Sequence, residues 1–387
     1  MSRMISDVIV VGAGIVGCST AFQLARRKGL RVLVVEKGPL ASGMTKRSGA
    51  LIRAQFAHPA EARLAVASTQ FFQNWIEIVG GNCGFTKTGL VVVAQGEEPA
   101  TQLREQVARL QALGANTQII SRGELRDLQP ATRVDDVTLA AYEPDAGFAD
   151  PVLATQSLAA RAKELGVMFK TGTMVKNFRV DYGRVIGIDT NIGLIEALNV
   201  VVSAGPWTDR LLKPLKAAIG IRAQRAEVAF FDRPADLKAG HAAFEDWTTG
   251  AHFRPHTFGL TMGGLNAPPS NGETNPDSFD ESVSPTFVAD LQQRLAARLP
   301  AMAHARYVRG HAGVYDMSPD GHAVLGRVPG IAGLFVAAGF SGIGFAIAPA
   351  VGACVSELVA DGEARTVDVQ SLGIGRFQDE QTREQGD

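Results

Sequence analysis

The stretch from Asp7 to Lys37, DVIVVGAGIVGCSTAFQLARRKGLRVLVVEK, constrains the fold more than any other part of the chain. It contains a short β-branched run over Val8 to Val11, a glycine-rich turn, an apolar helical pattern and a second strand that ends at Glu36. A β-branched run of this length is typical of a strand that is buried on both faces of a parallel sheet. The sequence therefore predicts an α/β fold that begins with a strand, a turn, a helix and a second strand.

The turn carries the pattern G-x-G-x-x-G at Gly12, Gly14 and Gly17. The first glycine allows a tight turn, the second lets the backbone approach a pyrophosphate, and the third lets the helix pack closely on the strand. The helix that follows would start under the phosphates, where its free N–H groups and positive dipole end can hold an anion, and Ile15 and Val16 are expected to contact the cofactor. The pattern in this context predicts a dinucleotide site.

Glu36, 24 residues after Gly12, ends the second strand and is followed by Lys37. A carboxylate at this place can accept hydrogen bonds from the hydroxyls of an adenosine ribose and would repel a 2′-phosphate. The next loop is rich in small residues and either wraps the pyrophosphate or forms a solvated basic turn, with Lys46, Arg47 and Ser48 as its polar group. These features leave both FAD and NAD open.

The length, net charge and cysteine content limit the functions that the chain can have. A chain of 387 residues holds two domains, or one domain elaborated by a second. The net charge of −1 offers no field for nucleic acid or an anionic membrane, so we expect neither partner. Cys18, Cys83 and Cys354 are far apart, which suggests no disulfide framework, no metal site and a reducing, cytoplasmic compartment.

Two segments imitate membrane signals. The N-terminus up to Cys18 looks like a lipoprotein signal, but Asp7 and the glycine pattern argue against that interpretation. The uncharged stretch 331–355 is long enough to span a bilayer, but its glycines and Pro349 favour a strand, a turn and a buried helix from Phe345. We therefore predict no membrane span.

Other periodic segments predict further elements. Helices are expected at 60–79, 101–113, 153–165 and 287–299, and strands at 91–94 and 199–203. The turn at 181–183 predicts a β-hairpin.

Four blocks of the chain resemble one family. They are the glycine pattern through Glu36, SGMTKRSGALIR, VVSAGPWTDRLL at 201–212, and the segment 309–352 with RGHAGVYD and GFSGIGFAIAPAVG. The family is that of FAD-dependent amine oxidoreductases, which includes sarcosine oxidase, glycine oxidase and D-amino acid oxidase. The chain looks most like the β-type chains of heteromeric sarcosine oxidase and of proline or hydroxyproline dehydrogenase.

The resemblance implies an α/β protein with a Rossmann-type FAD-binding domain and a discontinuous α+β substrate domain that contains an antiparallel sheet. The FAD-binding part would comprise residues 1–88, 142–218 and 307–376, the substrate part residues 89–141 and 219–306, and a flexible tail residues 377–387.

The same resemblance implies further cofactor residues. Val175 would lie against the adenine, and the turn at Ala204, Gly205 and Trp207 beside the FAD, although Trp207 is equally compatible with a core aromatic. In the C-terminal block the expected residues are Gly313, Gly339, Gly342, Ile343, Gly344 and Phe345. The helix from Phe345 would direct its N-terminus at the flavin and stabilise the reduced anion by roughly 0.5–2 kcal/mol.

A dissociable FAD is expected, because the residues that bind flavin covalently in the family correspond here to Gly313 and, roughly, Asp150. On the substrate side, Arg53 falls where sarcosine oxidases pair an arginine with the substrate carboxylate, and its alternative is a structural salt bridge. The usual second cations are replaced by Ala346 and Tyr315. His252 falls where glycine oxidases have a pocket tyrosine, and it would bind the substrate, act as a base or be structural.

These observations predict an FAD-dependent dehydrogenase or oxidase that removes a hydride from the α-carbon of an amino acid. The substrate would carry a secondary amine, of the sarcosine, proline, hydroxyproline or opine type, and would leave as an imine. Sarcosine oxidases use a lysine above the flavin for reaction with oxygen, and the absence of lysine after Lys238 favours a dehydrogenase. The alternatives are a 2-hydroxy-acid or polyol-phosphate dehydrogenase, and an assembly or electron-relay subunit that associates with electron-transfer subunits.

Overall fold

The computed structural model describes residues 4–27, 29–237, 240–266 and 272–377. The expected flexible tail falls largely outside them. Phe377, its first residue, is buried at the end of the 3-10 helix Ile374–Phe377, so the packed part of the chain extends through this residue. Residues 378–387 lie outside the described part.

The described strands are β1 (Met4–Ile5), β2 (Val8–Val11), β3 (Val32–Glu36), β4 (Leu51–Ile52), β5 (Thr86–Lys87), β6 (Leu90–Ala94), β7 (Gln118–Ile120), β8 (Leu139–Glu143), β9 (Gly147–Phe148), β10 (Met168–Thr171), β11 (Val175–Asp181), β12 (Arg184–Thr190), β13 (Gly193–Glu196), β14 (Asn199–Val202), β15 (Arg222–Asp232), β16 (Ala243–Asp246), β17 (Ala251–His256), β18 (Leu260–Leu265), β19 (Tyr307–Met317), β20 (Val324–Arg327) and β21 (Leu334–Ala338). The described α-helices are α1 (Ile15–Ala25), α2 (Pro59–Gln73), α3 (Trp75–Ile78), α4 (Glu97–Ala112), α5 (Arg122–Leu128), α6 (Pro151–Glu164), α7 (Thr208–Leu212), α8 (Pro285–Arg298) and α9 (Gly344–Ala360).

A six-stranded sheet with the order β10-β3-β2-β14-β21-β20 forms the first layer. Its neighbours run parallel except β20, which is antiparallel to β21. Val8 and Val10 face a core shared with α1, α2, α6 and α9, whereas Ile9 and Val11 face a core shared with a four-stranded sheet of β1, β13, β12 and β11. The first strand is thus buried on both faces, as its composition predicts.

An eight-stranded sheet with the order β19-β15-β18-β17-β16-β6-β8-β7 forms the second large layer. Its pairs are antiparallel except β16 with β6. Phe231, Phe244 and Phe253 pack on one face against Leu291 and Leu295 of α8. The expected combination of a Rossmann-type α/β domain and an antiparallel sheet is therefore confirmed.

Strand β19 differs from the expected division of the chain. Residues 307–317 were assigned with the FAD-binding part, but this strand pairs along its length with β15 at the edge of the eight-stranded sheet. The same holds for the end of β8, which crosses the expected boundary at residue 141 and pairs with β6. Strands on the two sides of each expected domain boundary pair with each other, so neither boundary separates one sheet from another.

Most of the predicted elements are confirmed, with shifted ends. Helix α4 begins at Glu97, four residues before the expected start, and the helical segment 60–79 is divided at Asn74 into α2 and α3. The predicted hairpin joins β11 and β12, with Tyr182 and Gly183 both at positive φ in the turn. Within the described ranges, no helix combines the length and the hydropathy that a membrane crossing needs.

Candidate active site

A cavity of about 1150 Å³ lies at the carboxyl ends of β2, β3, β14 and β21 and extends to the eight-stranded sheet. In parallel α/β sheets this edge is where ligands bind. The cavity is lined by most of the expected cofactor residues: Gly12, Gly14, Ile15, Val16, Glu36, Lys37, Arg47, Ser48, Val175, Ala204, Gly205, Trp207, Gly313, Gly342, Gly344 and Phe345. Gly17, Lys46, Gly339 and Ile343 are not lining residues.

The glycine turn shows why small residues are needed here. Gly12 has φ +105°, and a Cβ on it would lie 2.4 Å from the carbonyl oxygen of Ser203 on the neighbouring strand's end. A Cβ on Gly17 would lie 2.0 Å from the Gly12 carbonyl oxygen, so this glycine permits close packing without touching the cavity. A larger residue at either position would separate the helix from the sheet.

Helix α1 begins at the cavity, and its N-cap is Gly14, which has no side chain to cap the helix. Thr45, which the sequence analysis did not single out, accepts a hydrogen bond from the Ile15 N–H at 3.1 Å through its hydroxyl. The remaining N–H groups of the first turn have no intrahelical acceptor, and they provide donors for a phosphate. Thr45 thus holds the basic loop against the start of the helix.

Glu36 is held rigidly at the other side of this turn. Its carboxylate accepts a hydrogen bond from the Ala13 N–H at 2.9 Å and another from the Gly38 N–H at 2.8 Å. It lines the cavity, where carboxylate oxygens can accept hydrogen bonds from hydroxyl groups of a ribose.

The basic loop presents one of its two cations to the cavity. Arg47 donates hydrogen bonds to the carbonyl oxygens of Ser42 and Gly43 and forms an ion pair with Glu281. Lys46 is exposed and lies outside the cavity lining, because the short 3-10 helix Thr45–Arg47 directs neighbouring side chains apart. The expected contact of Lys46 with a pyrophosphate therefore has no support from its position.

The C-terminal half supplies a second helix start. Helix α9 begins at Gly344 after the N-cap Ile343, no described side chain caps it, and Gly344 and Phe345 line the cavity. Gly342 has φ +95°, and a Cβ there would lie 3.1 Å from the ring of Tyr315. The helix start thus lies next to the eight-stranded sheet.

Gly339 and Ile343 belong to this turn but do not line the cavity. The Gly339 N–H donates a hydrogen bond to Asp316 at 2.8 Å, and Gly339 has φ +64°, so it shapes the turn. Asp316 itself lines the cavity and was not anticipated. Burial raises the pKa of Asp316 to about 6, against the opposing effect of backbone hydrogen bonds from Phe340 and Gly339.

These groups fit FAD. The N-termini of α1 and α9 open on the same cavity, with the rigid carboxylate of Glu36 near the first and a glycine turn at each. Residues of α1 and β3 would hold the adenosine and pyrophosphate, and residues of α9 would hold the flavin ring, where they stabilise negative charge.

On the sheet side, His252 and Tyr315 line the cavity. The His252 ring lies over Gly264 of the next strand, where a Cβ would be 2.9 Å from the imidazole. Burial and, second, the positive charge of Arg53 lower the pKa of His252 to about 4, so the ring is neutral at pH 7. Burial raises the pKa of Tyr315 and keeps its hydroxyl protonated.

Arg53 does not line this cavity. Its guanidinium forms an ion pair with Glu245 at 2.9 Å, lies 4.4 Å from the centre of the Phe56 ring and donates to the carbonyl oxygen of Gln55. Glu245 pairs with His252 across β16 and β17, so Arg53 lies one strand beyond the cavity wall. The structure thus brings His252 and Tyr315 to the cavity and places Arg53 behind His252.

Among the described residues, no group of three or more His, Cys, Asp or Glu side chains could hold a metal ion. The three cysteines are free and buried.

The comparisons with known proteins agree with this site. The model of the FAD dependent oxidoreductase family matches residues 7–358. Glycine oxidase of Geobacillus kaustophilus is 26% identical over 91% of this chain and 92% of its own, and sarcosine oxidase subunit beta of Rhodobacter capsulatus is 24% identical over 97% and 89%. The solved structure of L-proline dehydrogenase from P. horikoshii has a TM-score of 0.89 and 28% identity, covering 97% of this chain and 99% of that one. The chain belongs to the FAD dependent oxidoreductase family, and its cofactor is FAD.

Proposed function

We propose that this protein oxidises the α-carbon to nitrogen bond of an amino acid, with a secondary or otherwise N-substituted amine as the preferred group. The observation that carries the proposal is the single cavity in which the start of α9 meets the His252 and Tyr315 wall. Bound FAD supplies the hydride acceptor. The similarity to L-proline dehydrogenase, glycine oxidase and sarcosine oxidase subunit beta supports this class of substrate.

The protein's own contribution is mainly orientation. A neutral His252 can accept a hydrogen bond from a substrate N–H without repelling it, and the buried Tyr315 offers a protonated hydroxyl. Fixing the α-carbon against the acceptor converts a bimolecular encounter into a step within one complex. We propose that Arg53 holds the substrate carboxylate through the edge of the guanidinium that Glu245 does not occupy.

We also propose that the FAD is dissociable. Gly313, at the place of a flavin-linking cysteine in related proteins, lines the cavity and has no side chain to bond. Asp150 is used as the N-cap of α6, where it accepts hydrogen bonds from Val152 and Leu153. The three buried, free cysteines support a reducing, cytoplasmic compartment as part of the same proposal.

Anaerobic reduction of the bound flavin tests the proposed reaction. The purified chain with FAD is mixed with sarcosine, proline, hydroxyproline and an opine, and separately with lactate and glycerol 3-phosphate. Bleaching of the flavin absorbance by an amine supports the proposal. Bleaching by the hydroxy compounds alone would overturn it.

The similarity to sarcosine oxidase subunit beta favours a second candidate, a subunit that functions within a heteromeric complex. In that case the isolated chain would bind FAD but none of the compounds would bleach it, and co-expression with a co-purifying electron-transfer subunit would restore the reaction.

A further inference from the structure

His252 belongs to a row of residues that lie directly opposite each other on neighbouring strands of the eight-stranded sheet. His311 pairs with Val228, Val228 with Gly264, Gly264 with His252, and His252 with Glu245. Since neighbouring strands are about 4.8 Å apart, Glu245 lies about 14 Å from Val228, three strands away. Val228 and His252 line the flavin cavity, and the His252 ring lies over the glycine between them. This row leads from the cavity to Arg53.

The residues at the end of the row form what we call the Arg53 recess: Arg53, Gln55, Glu143 and Glu245. Gln55 and Glu143 are 3% and 2% exposed, and polar side chains of these types are mostly exposed in proteins. Glu143 accepts a hydrogen bond from the Ala54 N–H at 2.8 Å through one oxygen, and Gln55 donates to the Thr117 hydroxyl at 3.1 Å.

The recess contains oxygen atoms that lack donors. The second oxygen of Glu143, the side-chain oxygen of Gln55 and one oxygen of Glu245 have no hydrogen-bond partner among the described residues. The Glu245 oxygen is at ion-pair distance from Arg53 without a hydrogen bond to it. Buried acceptors without donors are costly, so these oxygens favour a ligand group that donates hydrogen bonds.

We propose that the Arg53 recess binds a second, basic nitrogen of the substrate, so that the substrate is an N-substituted amino acid with an ammonium or guanidinium on its side chain. The inference rests on the proposed amine oxidation. The reacting amine has to be neutral for its lone pair to assist C–H cleavage, and a different nitrogen must therefore supply the positive charge.

The charges of the recess support this choice. Arg53 brings one positive charge, and Glu143 and Glu245 bring two carboxyl groups. A substrate carboxylate on Arg53 would leave the ionised recess with an excess of negative charge, which a cationic side chain reduces. A second carboxylate on the substrate would increase that excess and would bring acceptors to a place that already lacks donors.

Glu143 makes the preference depend on pH. Burial raises the pKa of Glu143 to about 7, with smaller effects of the Ala54 N–H and Arg53, which lower it, and of Asp145 and Glu245, which raise it. Glu143 is therefore partly protonated near neutral pH, and its negative charge increases from pH 6 to 8. A cationic side chain should bind more tightly over the same interval.

Three matched compounds test the proposal: Nα-methyl-lysine, Nα-methyl-norleucine and Nα-methyl-glutamate, supplied as racemates. They share the secondary amine and differ in the side-chain end. Anaerobic flavin reduction gives the concentration of each compound at which the reaction is half-saturated. Calorimetry on the previously reduced enzyme, which cannot oxidise the compounds, gives their dissociation constants. We expect the lysine compound to bind at least tenfold more tightly than the norleucine compound, and the glutamate compound to bind most weakly.

Two isosteric variants locate the effect. In Glu245→Gln the ratio between the lysine and norleucine compounds should fall towards one, and in Glu143→Gln the rise of that ratio from pH 6 to 8 should disappear. Glu164→Gln, an exposed helix residue paired with Arg161, is the matched control and should keep the wild-type ratio. The flavin absorbance of each variant verifies that it folds and retains FAD.

The outcomes separate this inference from the proposed function. If the norleucine compound bleaches the flavin as readily as the lysine compound, or if the glutamate compound binds most tightly, the recess does not bind a cation and only this inference fails. If none of the compounds bleaches the flavin while calorimetry still shows the lysine preference, the proposed oxidation fails and the cationic recess stands.

Discussion

A second histidine that burial keeps neutral, His241, lies just before β16 and is not among the residues that line the cavity. His241 is 7% exposed and has both ring nitrogens bonded, one to the carbonyl oxygen of Ala242 at 2.7 Å and the other to the Thr261 hydroxyl at 2.8 Å. The carbonyl oxygen takes a hydrogen bond from one ring nitrogen, and the Thr261 hydroxyl can donate to the other, so an uncharged ring satisfies both contacts. Burial, the largest effect, lowers the pKa of His241 to about 4.

The lowered pKa of His241 makes stability depend on pH. In the unfolded chain the imidazole takes up a proton below pH 6.5, whereas in the folded protein it does so only below about 4. The unfolded state therefore binds more protons as the pH falls, and stability is lost from pH 6.5 down to about 4. At pH 5 the loss from this residue is about 2 kcal/mol.

His241→Gln removes this titration. The variant should be less stable than the wild type at pH 7, since it loses a well-packed ring, but the difference in unfolding free energy should shrink by about 2 kcal/mol between pH 7 and pH 5. Urea unfolding at both pH values measures it. A difference that stays constant with pH would show that His241 does not titrate as inferred.

At the scale of elements, the described segment 272–284 connects the two large sheets across the cavity. Asp277 accepts hydrogen bonds from Lys37 and from the Trp207 indole, both at 2.7 Å, and forms an ion pair with Arg210. Burial tends to raise the pKa of Asp277, but the hydrogen bond from Lys37 and the other donors outweigh it and lower the pKa. Since Asp277 lines the cavity with both Lys37 and Trp207, the segment closes the cofactor site from the sheet side.

Asp277→Asn should therefore loosen FAD without unfolding the protein. The amide keeps one acceptor but loses the charge that Lys37 and Arg210 neutralise. These groups are partly exposed, so the effect should be modest, a two- to tenfold faster release of FAD, in line with about 0.4–1.4 kcal/mol. The fluorescence of released FAD after dilution measures the rate. Asp290→Asn, which breaks an ion pair on α8, is the control and should release FAD at the wild-type rate.

Asp277 also shows where prediction from sequence ends. The elements around the glycine turn were predictable, because Val8–Val11, Gly12 and Glu36 interact within one continuous stretch. Asp277 is 240 residues from Lys37 and lies in a segment without a motif, so no local pattern indicates their contact.

Arg53 illustrates a different limit. Its residue type and its place in the segment SGMTKRSGALIR predict that it binds the substrate carboxylate. Its ion pair with Glu245 follows instead from the register of β16 beside β17, which the sequence leaves open. Glu143 and Gln55 became informative only through their burial and their missing donors.

At the scale of the whole molecule, the two helices that begin at the cavity pack on each other. Gly352 of α9 faces Ser19 of α1, and a Cβ on Gly352 would lie 2.3 Å from the Ser19 hydroxyl oxygen and 2.6 Å from its carbonyl carbon. Residues 333 positions apart in the chain thus meet at a backbone-to-backbone contact. This contact fixes the distance between the helix start that serves the pyrophosphate and the one that serves the flavin ring.

Gly352→Ala should consequently weaken both stability and cofactor binding. Alanine favours a helix over glycine by up to about 1 kcal/mol, but the overlap is with backbone, which cannot rotate away as a flexible side chain can. Forcing extra volume into such a contact costs about 1–3 kcal/mol, so we expect a net loss of unfolding free energy together with weaker FAD binding, because the two helix starts move apart. Thermal unfolding and FAD titration of the apoprotein measure the two effects. Gly375→Ala is the matched control, since a Cβ there meets no atom within 4 Å, and it should leave both unchanged. If Gly352→Ala were as stable as the wild type and bound FAD equally well, the contact between α1 and α9 would not set the geometry of the cofactor site.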